Sequence, residues 1–190
     1  MSAHVPTTEE ELRAITVGGD PQQLNAPVTL AEYDPEWPQL YEREASRIRD
    51  ALRERALAVE HVGSTSVPGL AAKPIVDIVL VVDDSADEAA YVRALETAGY
   101  VLRIREPDWF EHRVFKGPDT NVNLHVFSHG CVEADRMVAF RDHLRTDEQD
   151  RRLYEDAKRE LAARRWKYVQ NYADAKTAVV SEIMARAMPA

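Results

Sequence analysis

The apolar positions of this chain change period along its length. Ala56–Val59 and Ile75–Val82 are short β-branched or small-residue runs, whereas residues 39–55 and those beyond Gly130 repeat every three or four positions. Short apolar runs and strict alternation predict strands, and the longer spacing predicts amphipathic helices. Strands are expected at Pro27–Tyr33, Leu57–Val62, Ile75–Val82 and Tyr100–Ile104. A hairpin is expected from Trp109–Phe115 and Asn121–Phe127 around Lys116-Gly-Pro-Asp119. A short helix at Glu9–Ile15, capped by Thr7 or Thr8, ends before Gly18-Gly-Asp-Pro21. A second, Gln39–Arg55, follows the turn Asp34-Pro-Glu-Trp-Pro38, where Asp34 is placed to cap, and puts Leu40, Ile48 and Leu52 near one face. A third starts at Asp83-Asp-Ser-Ala-Asp-Glu88 and stops at Gly99. Helices at Glu133–Leu144, Glu148–Arg164 and Tyr168–Met188 complete the chain. Residues 1–26 read as an arm ahead of one domain, residues 27–190. Mixed strands and helices with a helical tail place it in the α/β or α+β class.

Composition narrows this only in places. A chain of 190 residues, 45% hydrophobic and 30% charged, can bury a core without disulfides. Its net charge of −9 argues against broad binding to nucleic acid or to an anionic membrane, while leaving room for a local basic pocket. The single cysteine, Cys131, has no partner within the chain, which fits a reducing, cytoplasmic setting. The first residues lack the basic and apolar regions of a signal peptide, and no apolar run is long enough for a membrane span.

The chemistry concentrates in His61-Val-Gly-Ser-Thr-Ser-Val-Pro-Gly-Leu70 and the strand after it. Gly63, Ser64, Thr65 and Ser66 offer backbone N–H groups and hydroxyls that suit a phosphate, or form a turn held by its own hydroxyls. Asp77 is the only charge in Ile75–Val82; it is a metal ligand or general base, or a carboxylate that caps the loop. Lys73 and Arg113 could offset ligand charge, although Arg113 also suits a cross-strand ion pair. Asn123 and His125 alternate onto one face of their strand, and His61 ends the strand before the loop; each histidine is a ligand or a packing residue. Tyr168, Tyr172 and Lys176 share near-helical spacing, which equally describes a docked amphipathic stripe.

These segments resemble the GrpB family of the nucleotidyltransferase superfamily. The resemblance rests on Tyr33-Asp-Pro-Glu-Trp-Pro38, the block from Glu60 to Ile78, Gly99-Tyr100, Asn123-Leu-His-Val126, Phe140-Arg-Asp-His-Leu-Arg145, and Tyr172 with Lys176. It implies a nucleotidyltransferase-like mixed sheet with flanking helices and a helical C-terminal segment. It also implies a Gly-Ser loop beside carboxylates that hold divalent ions, Mg or Mn, on a triphosphate. Gly63-Ser64 matches the loop and Asp77 the first carboxylate. Val79 stands at the second acidic position, and the strand that should bring the third acid carries Asn123 and His125. The expected site thus has Asp77 and His125 as catalytic or metal-binding groups, His61 as a further ligand, and Ser64, Thr65, Lys73, Arg113 and Lys176 toward a nucleotide or other phosphorylated small molecule. The alternatives are a binding or regulatory module without transfer chemistry, and a metal-independent, histidine-assisted condensation. A homodimer stays open.

Overall fold

The computed structural model describes residues 6–188, so Met1–Val5 of the expected arm fall outside the described residues. Five strands form one mixed sheet in the order β2-β3-β6-β5-β4. These are β2 (Ala58–Val62), β3 (Val76–Val82), β4 (Val101–Glu106), β5 (His112–Lys116) and β6 (Val122–Ser128). The β3–β6 pair is parallel and the other three pairs are antiparallel. The expected hairpin is β5–β6, with Val114 opposite His125 and Lys116 opposite Asn123.

The sheet separates two layers of helices. Helix α2 (Trp37–Leu52) and the short α3 (Val92–Thr97) cover one face. There Ala45, Ile48, Leu52 and Leu95 pack on Ile78, Leu80, Leu124, Val126 and Phe115. The other face receives α4 (Val132–Thr146), whose Ala134, Met137 and Val138 pack on Val62, Val79 and Phe127. Behind it, α5 (Glu148–Ala162) and α7 (Thr177–Ala187) enclose a second core with the loop residues Val67 and Leu70. Apolar cores on both faces explain why β3 and β6 read as nearly continuous apolar runs.

Residues 6–26 lie along the domain. Thr8 and Glu11 form a reciprocal cap on α1 (Glu9–Ile15), Leu12 is buried, and Thr16 bridges Ile104 at the sheet edge. Strand β1 (Gln23–Ala26) pairs with β7 (Trp166–Tyr168).

Three expected elements differ. Pro27–Tyr33 is extended but joins no sheet beyond a bridge from Ala31 to Ala72; its alternation reflects Val28 inserted against Ala162 and Tyr172. The helix expected from Asp83 is shortened to a 3-10 turn at Glu88–Ala90 and α3. Its start is diverted because Asp84 accepts the Ala86 N–H and Ser85 is tied to Ser128 on β6. The final helix divides into β7, α6 (Val169–Ala175) and α7, with a break at Lys176. Asp34 does accept the Glu36 N–H at 2.8 Å at the entry to α2.

Candidate functional site

The loop after β2 crosses directly over Asp77. Gly63 has φ +69° and ψ −175°, a region almost confined to glycine, and a Cβ there would sit 2.5 Å from Asp77 Oδ2. The next residues, Ser64–Ser66, close a 3-10 turn. Two of its hydroxyls are used internally: Thr65 donates to the Ile75 carbonyl at 3.1 Å, and Ser66 donates to the Gly63 carbonyl at 2.6 Å. The Ser64 hydroxyl instead accepts from Lys158 Nζ at 3.0 Å. Helix α4 pins the loop from the side. Arg145 donates twice to the Ser66 carbonyl, and Arg141 donates to the His61 carbonyl and to Glu60.

Strand register supplies the floor. Val62, Asp77, Asn123 and Lys116 lie in one row across four strands, so their side chains share a face. Asn123 donates to Asp77 Oδ1 at 2.7 Å, and Lys116 donates to Asn123 Oδ1. Beside this row runs a second chain of contacts. Glu106 Oε2 is 2.7 Å from His112 Nδ1, His112 Nε2 is 3.0 Å from His125 Nδ1, and His125 Nε2 is 3.7 Å from Asp77 Oδ1.

The surroundings are cationic. Burial, with Lys176 nearby, brings the Lys158 amine down to about 7. Burial brings Lys73 down to about 8, with Lys176 and Lys116 adding to it and Asp77 opposing. Lys116 and Lys176 are also lowered by burial against the opposing pull of Asp77. The Tyr154 ring lies 4.8 Å from Lys158 Nζ; the Tyr172 ring lies 4.8 Å from Lys176 Nζ and 6.0 Å from Lys73 Nζ. For Asp77, burial raises the carboxyl, but His125, the Asn123 amide and Lys176 outweigh it and hold it below the usual range. Lys73, Lys116 and Lys176 thus lie within electrostatic reach of one carboxylate, and Lys158 lies beside Lys176 at the loop; an anion would hold these buried amines in their charged form.

Two expected site residues lie on the other sheet face from Asp77, although His61 Nε2 still reaches the Thr65 hydroxyl of the loop at 3.1 Å. Arg113 lies on the α2–α3 face, bound to Glu88 at 2.6 Å and Glu111 at 3.2 Å. His61 lies opposite Ile78, on the same face, stacked on Tyr41 at 4.8 Å, and burial holds its imidazole down to about 4. Period two separates both from Asp77. Lys116, Lys158, His112 and Glu106 were not singled out from the sequence. Lys158 had a signal: it stands four residues after Tyr154, within the buried stripe of α5.

A two-ion cage does not fit these residues. Val79, at the second acidic position, is 1% exposed beneath α4, and the β6 strand offers an amide and an imidazole where an acid is needed. Asp77 and His125 together supply one carboxylate and one imidazole, too few ligands to hold two ions. Elsewhere, ligand atoms of His143, Asp147 and Asp150 lie within 4.8 Å of one another. There Arg186 already engages both Asp150 oxygens, and Asp147 caps α5.

A mixed α+β domain with a glycine-crossed carboxylate among buried lysines is the class defined by the fold and its site. The chain belongs to the GrpB family, whose description, GrpB protein, matches residues 27–186. It is 63% identical over 186 residues to a UPF0157 protein of Halalkalibacterium halodurans, covering 98% of this chain and 95% of that one. A crystal structure of GrpB from Enterococcus faecalis is 30% identical with a TM-score of 0.73, covering 84% of this chain and 96% of that chain. An 82-residue stretch, 42% of this chain, is 44% identical to 20% of a dephospho-CoA kinase of Mycolicibacterium paratuberculosis.

Proposed function

We propose that this chain is a nucleotidyltransferase-like enzyme that binds the phosphates of a nucleotide or similar small molecule and transfers a phosphorylated group to an acceptor. The observation that carries this reading is the grouping of Lys73, Lys116 and Lys176 around Asp77 with Lys158 on the adjoining Ser64 hydroxyl. Phosphate oxygens would take the place of the repulsion among these amines. The Ser64 hydroxyl, already bound to Lys158, is positioned to contact the same oxygens. Divalent ions are not needed for this binding, because the lysines supply the positive charge.

Calorimetric titration with nucleoside triphosphates, with magnesium and then with a chelator, tests the binding. Saturable, chelator-resistant binding is expected; its absence across the common triphosphates overturns the reading. A second reading, a binding module without transfer, is favoured by the burial of Val79 where a second acid would stand. Release of pyrophosphate, or label transfer from a radiolabelled triphosphate to any acceptor, excludes it.

A further inference from the structure

The contacts from Glu106 through His112 and His125 to Asp77 have a direction. A carboxylate only accepts hydrogen bonds, so the His112 nitrogen facing Glu106, Nδ1, carries the proton. A singly protonated imidazole then presents a bare Nε2. That atom faces His125 Nδ1 at 3.0 Å, so His125 donates from Nδ1 and its own Nε2 is left bare. In the neutral ring the bare Nε2 faces Asp77 Oδ1, which already accepts from Asn123, at 3.7 Å; only the imidazolium, the form that holds the Asp77 carboxyl down, presents a proton there. Two acceptors confront each other across a gap too long for a hydrogen bond. Such a gap suits a group that brings a proton.

His112 is held firmly enough to impose this order. It is 4% exposed, stacked on Phe127 at 4.6 Å, with the edge of Trp109 at 5.0 Å. The turn before it places Phe110 and Glu111 in left-handed backbone, φ 55° and 50°. Strain of this kind persists only where the surrounding structure enforces it.

We propose that Glu106 and His112 are positioning residues that fix His125 as the Nδ1–H tautomer, so that its Nε2 takes the proton of the acceptor hydroxyl or amine. This rests on the transferase reading above. In the step, the acceptor oxygen or nitrogen bonds to phosphorus as the bond from phosphorus to the leaving phosphate oxygen breaks. The leaving phosphate departs as an anion among the lysines, and the acceptor proton moves to His125 Nε2. The imidazolium so formed lies against Asp77, which stabilises it, and later loses its proton to water.

Long-range proton–nitrogen NMR correlation of the 15N-labelled full chain at pH 8 reads the tautomers directly. His125 and His112, assigned by His125→Gln and His112→Gln, are both expected as Nδ1–H with Nε2 bare. His112→Phe removes the acceptor and should release His125 toward the Nε2–H form. Nε2–H on His125 in the wild-type chain overturns the proposal, whether or not the variant folds; so does an unchanged Nδ1–H form in a folded His112→Phe variant. The tautomer signal needs no substrate, so it separates failure of this relay from failure of the transferase reading. Where label transfer is observed, Glu106→Leu should lower kcat by roughly 10–100-fold with triphosphate affinity retained. An unchanged kcat would remove Glu106 from the relay.

Discussion

Replacing Gly63 by alanine should damage stability and site together. The backbone there, φ +69° and ψ −175°, penalises any side chain by about 1–3 kcal/mol. The added methyl would also meet Asp77 Oδ2 at 2.5 Å and Asp77 Cβ at 3.1 Å. Both ends of that contact are constrained: the Ser66 hydroxyl closes the turn onto Gly63, and Asn123 holds the carboxylate. Relief requires turning Asp77 off Asn123, a loss of about 1.5 kcal/mol for a hydrogen bond to a charged group. The sum is about 2.5–4.5 kcal/mol, a substantial part of the ~5–15 kcal/mol that stabilises a typical domain. For a chain of this length it corresponds to a Tm about 5–18 °C lower. Gly69→Ala is the control. Its φ is also positive, +77°, but nothing lies within 4 Å of the added carbon, so only conformational strain of about 1–2 kcal/mol is expected. Urea denaturation of both variants measures the difference. A Gly63→Ala variant that matches Gly69→Ala, or lies within about 0.5 kcal/mol of wild type, would refute the close approach of loop and carboxylate.

The remaining predictions concern charge. Lys176→Met should weaken triphosphate binding about tenfold, near the ~1.4 kcal/mol worth of one charge-assisted contact, in isothermal titration; no change would place Lys176 outside the ligand's reach. Asp77→Asn keeps an oxygen for the Asn123 amide, so triphosphate should bind as tightly as to wild type or tighter, while label transfer is lost; retained transfer would count against Asp77 stabilising the imidazolium. Glu88, bonded to Arg105 and Arg113, is held down to about 2, below its unfolded value of 4.5. The stability this adds is fully present above about pH 4.5 and lost as pH falls toward 2, so Glu88→Gln should flatten that part of an acid-denaturation profile. His61, neutral in the fold down to about 4, binds a proton in the unfolded chain from about 6.5 downward. Stability should therefore fall as pH drops across that window, less so in His61→Gln, as followed by Tm against pH.

Much of the architecture was legible because local rules and tertiary context agreed. The β3 and β6 runs, the β5–β6 hairpin and the three long helices α2, α4 and α5 follow from apolar period and turn residues. Asp77 stood out as a charge in an apolar strand, and Gly63-Ser64 as a loop of small residues. The elements misread were those where a distant partner overrode local pattern. Ser128 captures Ser85 and shortens the helix toward α3, and Ala162 with Tyr172 receives Val28 without a sheet.

The sequence by itself determined the class of fold, the family resemblance and the position of the loop and carboxylate, because those depend on neighbours within a few residues. Only the tertiary structure decided which charges meet there. Strand order and register set Lys116, Asn123 and Asp77 in one row, link Glu106 to His125 through His112, and turn His61 and Arg113 to the opposite face. Packing of α5 and of the break after α6 brings Lys158 to Ser64 and Lys176 within reach of Asp77 from far along the chain. A one-residue change of register would exchange the two faces, so no spacing along a single strand could have shown which lysines join Asp77, whereas Val79 already marked in the sequence the gap in the set of acids.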